Sequence, residues 1–151
     1  MLILASVSPR PAGALARAVH SLCVEGAAVA FADSAEQPAP ILPAERGGIS
    51  RAVASRQREF AAGRSCARAA LDRIGVSAVA IPIGPDRAPL WPAGAVGSIT
   101  HCPGFVGALV AHADAWRGLG FDAEGAGPLS EEIRTMICSP AELEWISVTR
   151  S

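Results

Sequence analysis

Apolar positions along the chain follow two rhythms. Phe60, Ala67, Leu71 and Ile74 recur on one face of a 3.6-residue repeat, Ser55 stands where a capping hydroxyl would, and Gly75 follows as a stop. This pattern predicts a long helix from Ser55 to Ile74. A shorter helix is predicted from Pro11 to Cys23, where Leu15, Val19 and Leu22 are helically spaced with Arg17 and His20 between them, and Gly26 ends it. Ala27 to Ala32 reads as a buried strand, and Asp33 to Pro43 as a polar, Pro-punctuated connection.

Beyond Val76 the rhythm shortens. Apolar runs at Ala78 to Ile83, Ala95 to Thr100, Phe105 to His112 and Leu119 to Glu124 alternate with Gly, Pro and Asp turns and predict strands. Short connections favour an antiparallel meander, since parallel neighbours need crossovers of roughly a dozen residues. Ser130 to Ile137 and Pro140 to Ile146 predict two short helices, the first opening with Glu131 and Glu132 at its positive end. Helix plus meander gives an α+β class.

Composition narrows the possibilities. The 151 residues suit one domain, and 50% hydrophobic against 18% charged residues exclude a disordered chain. A net charge of −1 argues against nucleic-acid binding driven by excess positive charge, so any anion site must be local. All thirteen basic residues are Arg, and Lys, Tyr and Asn are missing, which reads as coding bias rather than as a ligand preference. Four Cys without CxxC spacing point to a reducing cytoplasm. Met1 to Val7 is apolar but short and runs into Ser8-Pro9-Arg10-Pro11, so neither a signal peptide nor a membrane span is expected.

Some residues could carry chemistry. Asp122 and Glu124 lie two apart at the end of an apolar run, so strand alternation points both carboxylates to one side, a geometry suited to a hard cation; the plainer alternative is a polar strand end. Gly97-Ser98-Ile99-Thr100-His101-Cys102 ends a predicted strand with a hydroxyl, an imidazole and a thiol at a turn. Taken alone, His101 reads as a hydrogen-bonded structural histidine, and Cys102 lacks the orienting third group a nucleophile needs. Trp91 reads as loop packing. Arg56, Phe60, Arg64 and Arg68 recur every fourth residue on the long helix, and by spacing alone that flank is a solvated basic face.

Three blocks in register then carry a resemblance: Arg56-x-x-Glu59-Phe60-x-x-Gly63-Arg64, then Pro89-x-Trp91-Pro92-x-Gly94-x-x-Gly97-Ser98-x-Thr100-His101, then Gly120-Phe121-Asp122-x-Glu124, with Pro43-x-Glu45 ahead of them. Together they resemble the 4'-phosphopantetheinyl transferase family in its larger EntD/Sfp-like branch, over roughly Ile41 to Ile146. The resemblance implies Mg²⁺-dependent transfer of the phosphopantetheine arm of coenzyme A to a serine of an acyl or peptidyl carrier protein, releasing adenosine 3',5'-bisphosphate. On this mapping Asp122 and Glu124 bind the metal and act with His101 in catalysis. Thr100 and His101 hold coenzyme A phosphates, while Arg56 and Arg64 match the basic helix that meets the 3'-phosphate end.

Two departures accompany it. Ile83 stands where relatives often carry a basic residue, and the family's later block, an aromatic followed by x-x-Lys-Glu and a further Lys, does not occur before Ser151. The implied fold is two similar α+β halves, of which this chain is expected to hold the first and part of the second. Weak activity and self-association through an exposed face are therefore expected. Two other classes stay open on the sequence: a non-catalytic coenzyme A or nucleotide-binding module, and a Cys-His hydrolase using Cys102 and His101.

Overall fold

The computed structural model describes residues 2–7, 19, 21, 25–33, 40–77, 79–125 and 127–149. Strands β1 (Leu2–Val7) and β2 (Ala27–Ala32) precede a 3-10 turn at Pro43–Gly48 and the helix α1 (Ala54–Arg73). Strands β3 (Ala95–Cys102), β4 (Phe105–His112) and β5 (Gly120–Gly125) follow, then the short helices α2 (Glu131–Ile137) and α3 (Pro140–Thr149). The architecture is α+β.

β4 is the centre of a three-stranded antiparallel sheet of order β2-β4-β3. All its residues from Phe105 to Ala111 are buried, as an unbroken apolar run predicts for a strand covered on both faces. Ala62, Cys66, Ala67, Ala70 and Leu71 of α1 pack with Ala30, Val106, Ala108 and Val110 of the sheet. Val19, Val29, Phe105 and Leu109 form a second cluster with Phe121 and Ala123 of β5. The α1 side packs closely because its residues are small: a Cβ at Gly63 would lie 2.8 Å from Ile99 Cγ2. Trp91 serves packing, since its ring would lie 2.7 Å from a Cβ at Gly97.

The structure departs from the pattern-based expectations in four places. The three-strand meander is not formed: β5 leaves the sheet and pairs in parallel with β1, Leu2 opposite Gly120 through Val7 opposite Gly125. The long sequence separation of β1 and β5 removes the crossover constraint that disfavours parallel pairing of consecutive strands. Instead of forming a ladder with β5, β3 reaches it through side chains, with Ser98 Oγ donating to Phe121 O and Ala123 N donating to Thr100 Oγ1. Of the run read as a strand from Ala78 to Ile83, the described residues 79–83 form only an isolated bridge between Ile83 and Pro89, consistent with Pro82 and the turn at residues 84–88 interrupting any ladder.

α1 is capped by Val53, not Ser55, and its N-terminus has no side-chain cap hydrogen bond. Its end is as expected, with Gly75 at φ 73°. The segment from Met1 to Val7, weighed above only as a leader or span, supplies β1. The helix expected from Pro11 to Cys23 lies outside the described residues except at Val19 and Ser21, both helical. Ser130 caps α2 by accepting from Ile133 N. α2 buries none of its residues, and Ile133, Met136 and Ile137 together with Trp145 of α3 are exposed. Among the described residues no helix is long and apolar enough to cross a membrane.

Candidate functional site

Alternation along β3 divides the candidate residues into two groups. Ile99 and His101 face α1 and line a cavity of about 190 Å³ between that helix, β3 and the turn at residues 83–89. Ser98 and Thr100 face β5. Arg56, Arg64 and His101 thus share the cavity, whereas Thr100 makes contact with Asp122 on the other side of the strand.

In the cavity the helix repeat brings Arg56, Glu59, Phe60, Gly63 and Arg64 onto one wall. The solvated-face expectation holds for Arg56, whose side chain is 48% exposed, and fails for Arg64 and Arg68. Arg68 is turned inward onto the buried carboxylate of Glu45, at 2.7 Å. Glu45 also accepts from Leu42 N and Ile81 N, so one carboxylate ties the 3-10 turn, α1 and the following connection together.

Arg64 is 5% exposed, with its guanidinium carbon 4.4 Å from the centre of the Phe60 ring. Its Nε has no hydrogen-bond partner, and Arg64 forms no ion pair among the described residues. Burial pulls its pKa down to about 10; Glu45 acts to raise it, while Arg56 and Arg68 lower it further. It remains charged at neutral pH. A buried cation on a cavity wall with a donor unused is complementary to an anion.

His101 Nε2 lies 3.0 Å from Arg56 Nη1 and 3.2 Å from Glu59 Oε2, and Arg56 and Glu59 pair with each other at 3.2 Å. The same ring nitrogen can therefore accept from the guanidinium when unprotonated or donate to the carboxylate when protonated. Glu59 carried no role in the sequence reading beyond its motif. Its position three residues after Arg56 is the signal that links them.

On the opposite side, Phe121 and Ala123 are buried while Asp122 and Glu124 are exposed, so both carboxylates project from the same side of β5. The Thr100 hydroxyl, 4% exposed with its residue, donates to Asp122 Oδ1 at 2.9 Å and accepts from Ala123 N at 3.0 Å. Both interactions hold the Asp122 carboxylate in a fixed orientation. Among the described residues no group of three or more His, Cys, Asp or Glu side chains could hold a metal ion.

Cys102 is buried, and desolvation followed by the charges of Glu124 and Asp122 pushes its thiol pKa up. A nucleophilic thiolate needs the reverse. Cys102 and His101 are also adjacent on β3 and so point to opposite faces, which removes the geometric basis for the Cys-His hydrolase.

Comparison with known proteins bears on the chain's relationships. Residues 43–111, spanning the 3-10 turn, α1, the connection, β3 and nearly all of β4, match the 4'-phosphopantetheinyl transferase N-terminal domain. The chain is 46% identical over 119 residues to 4'-phosphopantetheinyl transferase Svp of Streptomyces mobaraensis, covering 78% of this chain and 48% of that protein. It is 44% identical over 109 residues to Npt of Nocardia iowensis, covering 72% and 49%, and 46% identical over 101 residues to PptT of Mycobacterium tuberculosis, covering 67% and 44%. Both are likewise named 4'-phosphopantetheinyl transferases. The chain spans about half the length of the curated relatives it matches. These similarities relate residues 43–111 to the N-terminal domain of 4'-phosphopantetheinyl transferases, and the chain to about half of each named relative.

Proposed function

We propose that this chain binds coenzyme A through the cavity between α1 and β3 and serves transfer of its 4'-phosphopantetheine arm to a serine of an acyl or peptidyl carrier protein. The observation that carries this reading is Arg64, a buried guanidinium with an unused donor beside Arg56 and His101. An anionic phosphate is the ligand chemistry that compensates such a group.

In the proposed reaction the serine oxygen bonds to the phosphorus that carries the pantetheine arm. The bond from that phosphorus to the leaving phosphate oxygen breaks, adenosine 3',5'-bisphosphate departs, and the hydroxyl proton passes to a base. Positioning and charge neutralisation supply most of the catalysis in such a transfer. Arg64, Arg56 and His101 hold the phosphates of the cofactor, and Glu59 keeps Arg56 and His101 together. Asp122 and Glu124 fit Mg²⁺, an ion that takes one or two protein carboxylates and completes its shell with water and phosphate oxygens. When bound, the ion would neutralise charge on the transferring phosphate. Thr100, assigned above to the cofactor phosphates, orients Asp122 through its hydroxyl.

The EntD/Sfp-like branch is part of the same proposal.

The test incubates the chain with coenzyme A, Mg²⁺ and an apo carrier protein, reading cofactor affinity and the carrier's gain in mass. Asp122→Ala should weaken Mg²⁺-dependent binding about tenfold or more, while Glu131→Ala at the start of α2 changes it less than about twofold. Equal effects would remove the metal assignment. Binding without any mass gain, at every enzyme concentration, would favour the non-catalytic module, and absence of binding would contradict the whole reading.

A further inference from the structure

Resting on the coenzyme A reading, we propose that Arg87 is a third guanidinium of the cavity and recognises the terminal 3'-phosphate of the cofactor. Arg87 lines the cavity with Arg56, Arg64 and His101, but reaches it from the turn rather than from α1 or β3. Ile83, which opens that turn, gives the same wall an apolar patch, so Arg87 is the positive charge the turn contributes.

The backbone makes this placement specific. Arg87 has φ 68°, and it is the residue other than glycine with a positive φ among those described. An L side chain is strained in that region, where glycine or asparagine fits more readily. The turn that imposes it is fastened on both sides. Arg87 N donates to Gly84 O, Gly84 N donates to Ala88 O, and Ala88 N donates to Asp86 Oδ1. Leu90 N donates to Pro82 O beside the Ile83–Pro89 bridge. The conformation therefore belongs to the turn, and the Arg side chain at its apex carries no stabilising ion pair among the described residues. Its position on the cavity wall supplies a role.

Charge favours a doubly ionised phosphate monoester. Three guanidinium groups face the cavity against the single carboxylate of Glu59, which is already shared between Arg56 and His101. Arg64 at the buried wall and Arg87 at the exposed rim grip such an anion from two sides. A phosphodiester carries a single charge, and a pyrophosphate segment spreads its two over two phosphorus atoms instead of concentrating them on one.

The experiment measures the affinity of the intact chain for coenzyme A and for 3'-dephospho-coenzyme A by calorimetry at low salt. The variants are Arg87→Gly, Arg87→Asn and Arg87→Lys, the first two chosen because both residues accept a positive φ, and their melting curves verify folding. The unmodified chain should prefer coenzyme A, and Arg87→Gly and Arg87→Asn should each weaken it about five- to tenfold while altering the dephospho form less than about twofold. Arg87→Lys should retain most of the preference, since it keeps the charge. Equal losses for both ligands would assign Arg87 to the pyrophosphate and overturn the proposal, as would variants that bind like the parent. No preference in the unmodified chain overturns it too, while leaving the cofactor reading intact; failure to bind coenzyme A at all sinks both.

Discussion

Replacing Arg64 with Met should cost the chain most of its coenzyme A affinity while leaving its melting temperature unchanged or a few degrees higher. The two effects have one origin. Arg64 is buried, its Nε is unused, and burial holds its pKa at about 10. That depression below the ordinary arginine value corresponds to a penalty of up to about 3 kcal/mol for keeping the charge inside the fold. The sign is clear. The folded-state pKa lies below the unfolded one, so at neutral pH both states are protonated and the full penalty is present. Stability is regained only as pH rises from about 10 toward the ordinary arginine range.

Met keeps the stem that packs near Phe60 and removes the charge, and such exchanges of a buried ion for an apolar group are neutral or stabilising. A bound phosphate reverses the account, because a charge-assisted hydrogen bond in a buried setting contributes about 2 kcal/mol, or roughly thirtyfold in affinity. Calorimetric titration with coenzyme A and a thermal melt of the same samples check both halves. A variant that melts much lower but still binds would contradict this assignment.

Glu45→Ala is expected to have the largest effect on stability. The carboxylate is 1% exposed and accepts from Leu42 N, Ile81 N and the Arg68 guanidinium, all of which lose their partner together. Leaving one buried charge uncompensated costs about 3–5 kcal/mol, a large share of the roughly 5–15 kcal/mol that holds a domain folded. Urea denaturation should give a midpoint lowered accordingly with little change in slope. Glu45→Gln, which keeps the volume and an acceptor oxygen, should lose less. The site would also suffer, since Glu45 raises the pKa of Arg64 and, through Ile81, anchors the chain leading to the turn that carries Arg87. Unfolding at the parental midpoint would mean that the three hydrogen bonds contribute nothing net.

Much of this frame was legible in the sequence where one periodicity dominated. The continuous apolar run from Phe105 specified the central strand, the Phe60 to Ile74 repeat specified α1, and alternation around Asp122 and Glu124 set both acids on one exposed side. Where tertiary contacts decide, pattern was insufficient. Spacing put Arg56, Arg64 and Arg68 on one flank, yet only the depth of the cavity and the position of Glu45 divide them into an exposed residue, an unpaired buried one and a paired one. The parallel pairing of β1 with β5 joins segments more than a hundred residues apart, beyond any local signal. Gly84-Pro85-Asp86 marks a turn in the sequence, but the apolar run around it hides the break at Pro82, and no pattern places Arg87 at the cavity.

The central claim is that the wall built by Arg56, Arg64 and His101 receives a phosphate-bearing cofactor. Titrating isotopically labelled protein with coenzyme A and following backbone and Arg side-chain resonances by NMR tests it most directly. Saturable shifts should concentrate at Arg56, Gly63, Arg64, Arg87 and His101, with the Arg64 Nε–H moving furthest, while Ile133 and Trp145 on the outlying helices stay still. Shifts gathered on those helices, or a silent Arg64 at saturating cofactor, would contradict it.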